Sequence, residues 1–177
     1  MAEPSLAFWT RLLRLPGFVV VHCAEDTQPA RYCFTIATAQ RLGSCPHCHQ
    51  VCADVHQTRT RDGLVDLPIS GYAVELKLRV CQFHCSGCVQ AFTPDVPFLA
   101  DGAHATERFL ERAAELIRNS DVANVARFFG LAETTLARWY YEFVERRRLT
   151  RPTTLKPITR IGIDELSVKK NIGSSSP

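Results

Sequence analysis

Two thiol pairs, Cys45-Pro46-His47-Cys48 and Cys85-Ser86-Gly87-Cys88, constrain this chain more than any other feature. A Cys-x-x-Cys turn aims two sulfurs at one point, and two such turns supply the four thiolates of a tetrahedral zinc site. The intervening residues, 49–84, exceed the usual zinc-ribbon loop, so they must return on themselves. A hairpin does this, and the sequence contains the makings of one. In Val74-Glu75-Leu76-Lys77-Leu78-Arg79-Val80 apolar and charged residues alternate, the period of a half-buried strand. Gly71 offers a turn ahead of it, and Leu64 to Ile69 reads as the partner strand. The expected cofactor is therefore zinc, with Cys45, Cys48, Cys85 and Cys88 as ligands.

Two other readings compete: buried thiols without metal, and a redox Cys-x-x-Cys. Neither suits two pairs that are each set among turn-forming residues. Cys52 and Cys81 fall outside the paired spacing and read as small buried hydrophobes, and Cys23 and Cys33 as core thiols of early strands. His47, His49 and His84 flank the thiolates and read as exposed or supporting residues rather than ligands.

Eight cysteines in a chain with no visible export signal point to a reducing, cytoplasmic setting rather than to disulfides. The longest early apolar run, Phe18 to Val21, is too short for a signal-peptide core or a membrane span, so no membrane partner is expected. A hydrophobic fraction of 46% with 22% charged residues is that of a globular protein.

Four stretches differ in texture. Residues 1–40 hold a short amphipathic start, Leu6 to Leu15, and two β-prone runs, Phe18–Cys23 and Tyr32–Ile36, which read as an antiparallel pair. Residues 41–98 form the zinc-binding module. Residues 99–150 change period: Phe109, Leu110, Ala113, Leu116 and Ile117 mark one helix face. Asn119-Ser120-Asp121 breaks that helix, with Ser120 as the expected N-cap of the next. A second helix is expected from about Asp121 to Phe129 and a third from about Glu133 to Arg148, with Gly130 turning between them. Residues 151–177 begin as a proline-containing linker, continue into strand-like Ile161-Gly162-Ile163-Asp164-Glu165-Leu166, and end in a Ser-rich tail.

A short helix, a glycine turn and a second helix with a polar front make a helix-turn-helix. Ala126 permits a close crossing, while Val122, Val125, Leu131 and Leu136 supply a core. The exposed front would present Glu133, Thr134, Ala137 and Arg138, with Arg138 and Thr134 able to meet a base edge or a phosphate. An ordinary helical hairpin with solvated charges is the competing reading, and Ala132 stands where a capping Ser or Thr is expected. The net charge of +3 says little; its distribution says more. Between Glu145 and Asp164 there is no acidic residue, whereas Arg146, Arg147, Arg148, Arg151, Lys156 and Arg160 all occur. Such a run can neutralise phosphates, although a helix end also favours cations through its dipole. Trp139, Tyr140 and Tyr141 read as core residues rather than base-stacking ones.

The ordered set of Cys-Pro-x-Cys, strand pair, Cys-x-x-Cys, helix-turn-helix and Ile161-Gly162-Ile163-Asp164-Glu165 resembles the ISL-type insertion-sequence transposases. Leu15-Pro16-Gly17 matches an early step of that family, Cys45, Cys48, Cys85 and Cys88 its knuckles, and Ser120 to Trp139 its helix-turn-helix. The resemblance implies that Gly162 to Glu165 opens an RNase H-like catalytic domain, with Asp164 the candidate first carboxylate of a DDE triad. The sequence ends twelve residues after Glu165 with no further acidic residue, so no complete triad and no DNA cleavage by this polypeptide alone are expected.

The expected fold is α+β, a small β-rich zinc-ribbon-like module followed by a three-helix helix-turn-helix module. The expected function is sequence-specific binding of double-stranded DNA at the terminal repeats of an insertion sequence, by a catalytically incomplete transposase part. A homo-oligomer or the intact transposase would be further partners. The alternatives are a zinc-dependent protein-interaction or regulatory module, and one part of a transposase completed by another polypeptide.

Overall fold

The computed structural model describes residues 4–150. The expected linker, the strand around Ile161, Asp164 and the cations Arg151, Lys156 and Arg160 lie outside the described residues.

Helix α1, Leu6–Leu13, starts where the Ser5 hydroxyl accepts the Phe8 N–H at 3.2 Å, and it stops at Arg14, which is left-handed. It buries Trp9 and Leu13, and the Trp9 ring rests against Tyr32 and Phe34. The next strands, β1 (Phe18–Thr27) and β2 (Ala30–Thr38), pair antiparallel as the sequence suggests, with a bulge between Val20 and His22. Two short strands, β3 (Gly43–Ser44) and β4 (Val51–Cys52), bracket the first thiol pair. A long hairpin follows, β5 (Val55–Ile69) and β6 (Tyr72–Cys85), and β7 (Gln90–Phe92) folds back on the end of β6. The hairpin turns at Ser70-Gly71, both at positive φ, the pattern that matches strand twist in a two-residue turn.

The sheet order is β1-β2-β6-β5, and β2 runs parallel to β6. Strands from residues 1–40 and 41–98 thus share one sheet. Strand β6 sits centrally, and its alternation divides the two faces. Val74, Leu76, Leu78 and Val80 are buried with Phe34, Ile36, Leu64 and Phe98 beneath α1. On the opposite face Lys77 and Arg79 are exposed and Glu75 is half-buried. Cys23 does pack against the core, whereas half-buried Cys33 lies off it, its sulfur 4.0 Å from an Asp26 carboxylate oxygen. Its in-register partner Glu75 explains the difference: β2 residues paired to the charged set of β6 face away from the core.

Helices α2 (Glu107–Arg118), α3 (Val122–Phe129) and α4 (Glu133–Thr150) enclose a second core containing Phe109, Leu110, Ala113, Ile117, Val125, Ala126, Leu136, Trp139 and Phe143. The N-cap of α3 is Asp121 rather than Ser120: Asp121 accepts the Asn124 N–H at 2.8 Å, while the Ser120 N–H still bonds Ile117 in the final turn of α2. Gly130 ends α3 at φ 67°. Its N–H bonds the Arg127 carbonyl and that of Leu131 bonds Ala126, a Schellman closure. Tyr140 leans on the core, but Tyr141 is exposed because it faces away from Leu136, Trp139 and Phe143.

One polar cluster ties the two cores together. Asp66 on β5 is fully buried; Thr106 donates its hydroxyl to it at 2.7 Å and Arg108 donates Nε at 2.8 Å and a second N–H to the other oxygen. Arg108 also reaches the Leu13 carbonyl of α1 at 2.5 Å, and Thr106 caps α2. Alongside, the Val65 N–H bonds His104 and the Thr106 N–H bonds Val65.

Candidate metal centre and nucleic-acid interface

Each thiol pair lies at the bend of a small hairpin, the first between β3 and β4, the second between β6 and β7. The two bends repeat one backbone pattern. His49 N–H bonds the Cys45 carbonyl at 2.9 Å, and Val89 N–H bonds the Cys85 carbonyl at 2.8 Å. The residue after each second cysteine is left-handed, His49 at φ 60° and Val89 at φ 55°. For a β-branched, exposed valine this conformation is strained, and such strain is held where the surroundings fix the backbone.

The bends bring the sulfurs of Cys45, Cys48, Cys85 and Cys88 within 4.8 Å of one another. Across the bends Cys45 lies 3.9 Å from Cys88 and Cys48 lies 3.5 Å from Cys85. Four sulfurs at about 2.3 Å around one tetrahedral ion stand about 3.8 Å apart, so the cluster has the size of a four-thiolate metal site. The approach is close: a β-carbon on Gly87 would lie 2.5 Å from the Gln50 amide oxygen of the first bend. Gly43 is equally confined, because a β-carbon there would meet the Phe83 ring at 2.7 Å.

The thiols are electrostatically unequal. The Cys88 backbone N–H lowers the Cys85 thiol to about 6, whereas hydrogen bonding to the Cys48 sulfur raises Cys88 to about 12. Cys52 is buried beside the cluster, and that burial raises its thiol to about 11. It points to the Gln50 carbonyl at 3.5 Å and packs with Phe83 and Phe92. Cys81 packs half-buried against the same group. His47 and His49 are exposed and His84 is half-buried.

At the start of α4, Glu133, Thr134 and Arg138 are all exposed, with Leu136 and Trp139 turned inward between them. Ala132 occupies the cap position and offers only its carbonyl to Thr135 and Leu136. The arginines at the other end differ, because each has a carboxylate partner. Arg146 lies 3.5 Å from Asp101 and donates to its backbone carbonyl, Arg147 pairs with Glu111 and lies over the Phe143 ring, and Arg148 lies 3.9 Å from Glu145. Sequence reasoning missed these pairings because Asp101 and Glu111 lie far away along the chain. No helix among the described residues is long and apolar enough to cross a membrane.

Residues 94–144, which span α2, α3 and the first two-thirds of α4, match the helix-turn-helix domain of transposase family ISL3. The chain is also 28% identical over 129 residues to the transposase for insertion sequence element IS1001 of Bordetella parapertussis. That alignment covers 71% of this chain and 30% of the relative, so the chain spans less than a third of that protein's length. No solved structure matches the chain. The family match places residues similar to the helix-turn-helix domain of transposase family ISL3 on α2, α3 and most of α4, at residues 94–144.

Proposed function

We propose that this chain is the DNA-recognition part of an insertion-sequence transposase, built on a structural zinc and reading the terminal repeats of the element through α4. The observation that carries the reading is the coincidence of the matched helix-turn-helix, residues 94–144, with a glycine-turned helix pair whose second member presents Glu133, Thr134 and Arg138 to solvent. In such a pair the front of the second helix enters the major groove. Arg138 is the base-reading candidate, Thr134 and Glu133 its neighbours. Arg146, Arg147 and Arg148 are proposed as phosphate contacts, which they could make only by sharing or leaving their carboxylates.

Zinc is proposed as the resident ion because four sulfur donors suit it and their separation fits its tetrahedral shell. Cys45, Cys48, Cys85 and Cys88 would hold it as a closed site with no open position, which stabilises a fold rather than activating water. Strand cleavage is assigned to none of residues 4–150, and Asp164 remains a candidate carboxylate outside them.

The test is binding of the zinc-loaded chain to a terminal-repeat duplex and to a random duplex across salt. Arg138→Ala should weaken binding to the repeat by about 1–3 kcal/mol more than to random DNA. An equal loss on both makes Arg138 a phosphate contact, and no salt-dependent affinity for any duplex returns the chain to the protein-interaction reading.

A further inference from the structure

The sheet face opposite α1 carries two kinds of cation. Arg31 is bonded to Glu75 at 3.0 Å, and Lys77 lies 3.4 Å from Asp62. Arg79 and Arg41, both exposed, have no carboxylate partner among the described residues. Arg79 belongs to a row that the strand registers draw across the whole sheet, Val19 to Ala37 to Arg79 to Thr60. Residues directly opposite one another point to the same face. Beside this row lies a groove of about 340 Å³, whose lining includes Arg41, Arg79, Thr38 and Thr58 over a floor of Val19 and Ala37 and includes no acidic residue.

We propose that this groove is a second contact surface for the phosphate backbone of duplex DNA, separate from α4 and formed by Arg41 and Arg79 with the Thr58 hydroxyl. It rests on the reading of the chain as a DNA-binding part, and it adds a surface that reading does not contain. Charge complementarity favours this occupant. Two guanidiniums on a shallow floor present forked donors to phosphate oxygens, and a floor of aliphatic side chains has nothing to read a base edge with. Acidic side chains elsewhere on this face are already matched to Arg31 and Lys77, so the groove's cations are the ones left for an external anion.

The zinc-loaded Arg41→Ala/Arg79→Ala double variant tests it against the parent on terminal-repeat and random duplexes. Losing two phosphate contacts lowers the slope of log affinity against log salt by about 2, equally on both duplexes, and weakens binding on the order of tenfold at physiological salt. Zinc content and circular dichroism should match the parent. An unchanged slope and affinity overturns the groove while leaving α4 untouched, since Arg138→Ala retains its own sequence-dependent effect. If Arg138→Ala is silent but the double variant lowers the slope, the groove stands and the reading of α4 falls. Polyglutamate competing for the parent as well as duplex DNA does, with the double variant losing both, would replace DNA with an acidic peptide as the occupant.

Discussion

The thiol bends and the three helices achieve order by opposite means. The cluster around the bends buries Cys45, Cys52, Phe83, Cys85 and Phe92, so three of its five buried members are cysteines. With so little apolar area, that region gains little from hydrophobic burial of its own, and the proposed zinc would supply the missing stabilisation. The helices bury nine large and small apolar residues from α2, α3 and α4 and are closed locally by Thr106, Asp121 and Gly130. One region draws four thiols together from distant segments, the other rests on caps and periodic side chains near in sequence. The same chain therefore has two thermodynamic dependences, and between them lies the sheet, which Asp66, Thr106 and Arg108 join to the helices.

Removing the ion should separate the two regions most sharply. With a chelator, or in Cys85→Ser, zinc should fall from one per chain and amide protection should vanish over residues 43–52 and 83–92, while α2 to α4 keep theirs. Structural zinc is worth on the order of 10 kcal/mol in small fingers, more than any single side-chain change considered below. A single unfolding transition, with helical circular dichroism lost together with the zinc, would erase the distinction.

Breaking the joint comes next. Arg108→Met leaves the buried Asp66 carboxylate without its cation and should cost about 3–5 kcal/mol of overall stability in denaturant titration. If the sheet and the helices then unfold at separate midpoints, the joint is what makes those two cooperative. A cost below about 1 kcal/mol would mean the pair is no more than a surface ion pair.

Two smaller changes test each region on its own terms. Gly43→Ala forces a methyl against Phe83 and should cost about 1–3 kcal/mol, lowering zinc affinity without touching the helices. Asp121→Ala removes the α3 cap and should cost about 1 kcal/mol, with zinc affinity unchanged. Thermal melts of the zinc-loaded proteins and competition with a chromogenic chelator measure both, and crossed effects would contradict the division.

The features legible in the sequence are those written locally. The paired thiols, the Gly71 turn, the alternation of β6 and the Gly130 break are all short-range signals, and the structure has the corresponding bends, hairpin and helices. What escaped was pairing at a distance. Nothing in Phe34 or Ile36 says that β2 will lie parallel to β6, since alternation fixes a face and not a partner. Asp66 is a polar residue within the strand Leu64 to Ile69, and nothing local marks it for burial against Arg108, far along the chain. The front half of β5, Val55 to Thr60, is exposed throughout and has no apolar rhythm; its ladder with β6 makes it a strand. The row linking Arg79 to Thr60 is invisible for the same reason.

The parallel pairing of β2 with β6 has a consequence for synthesis. Arg31 of β2 is aligned with Ala73 and Ala37 with Arg79. Each partner therefore leaves the ribosome roughly 40 residues later, on the order of several seconds at usual elongation rates. Through that interval β1 and β2 are both made, yet the inner edge of β2 has no partner to form its ladder. An open edge is a template for the wrong chain. Arg31, whose later partner is Glu75, sits on that waiting strand as a charge that discourages premature pairing. Once β6 arrives, the same residue closes the sheet.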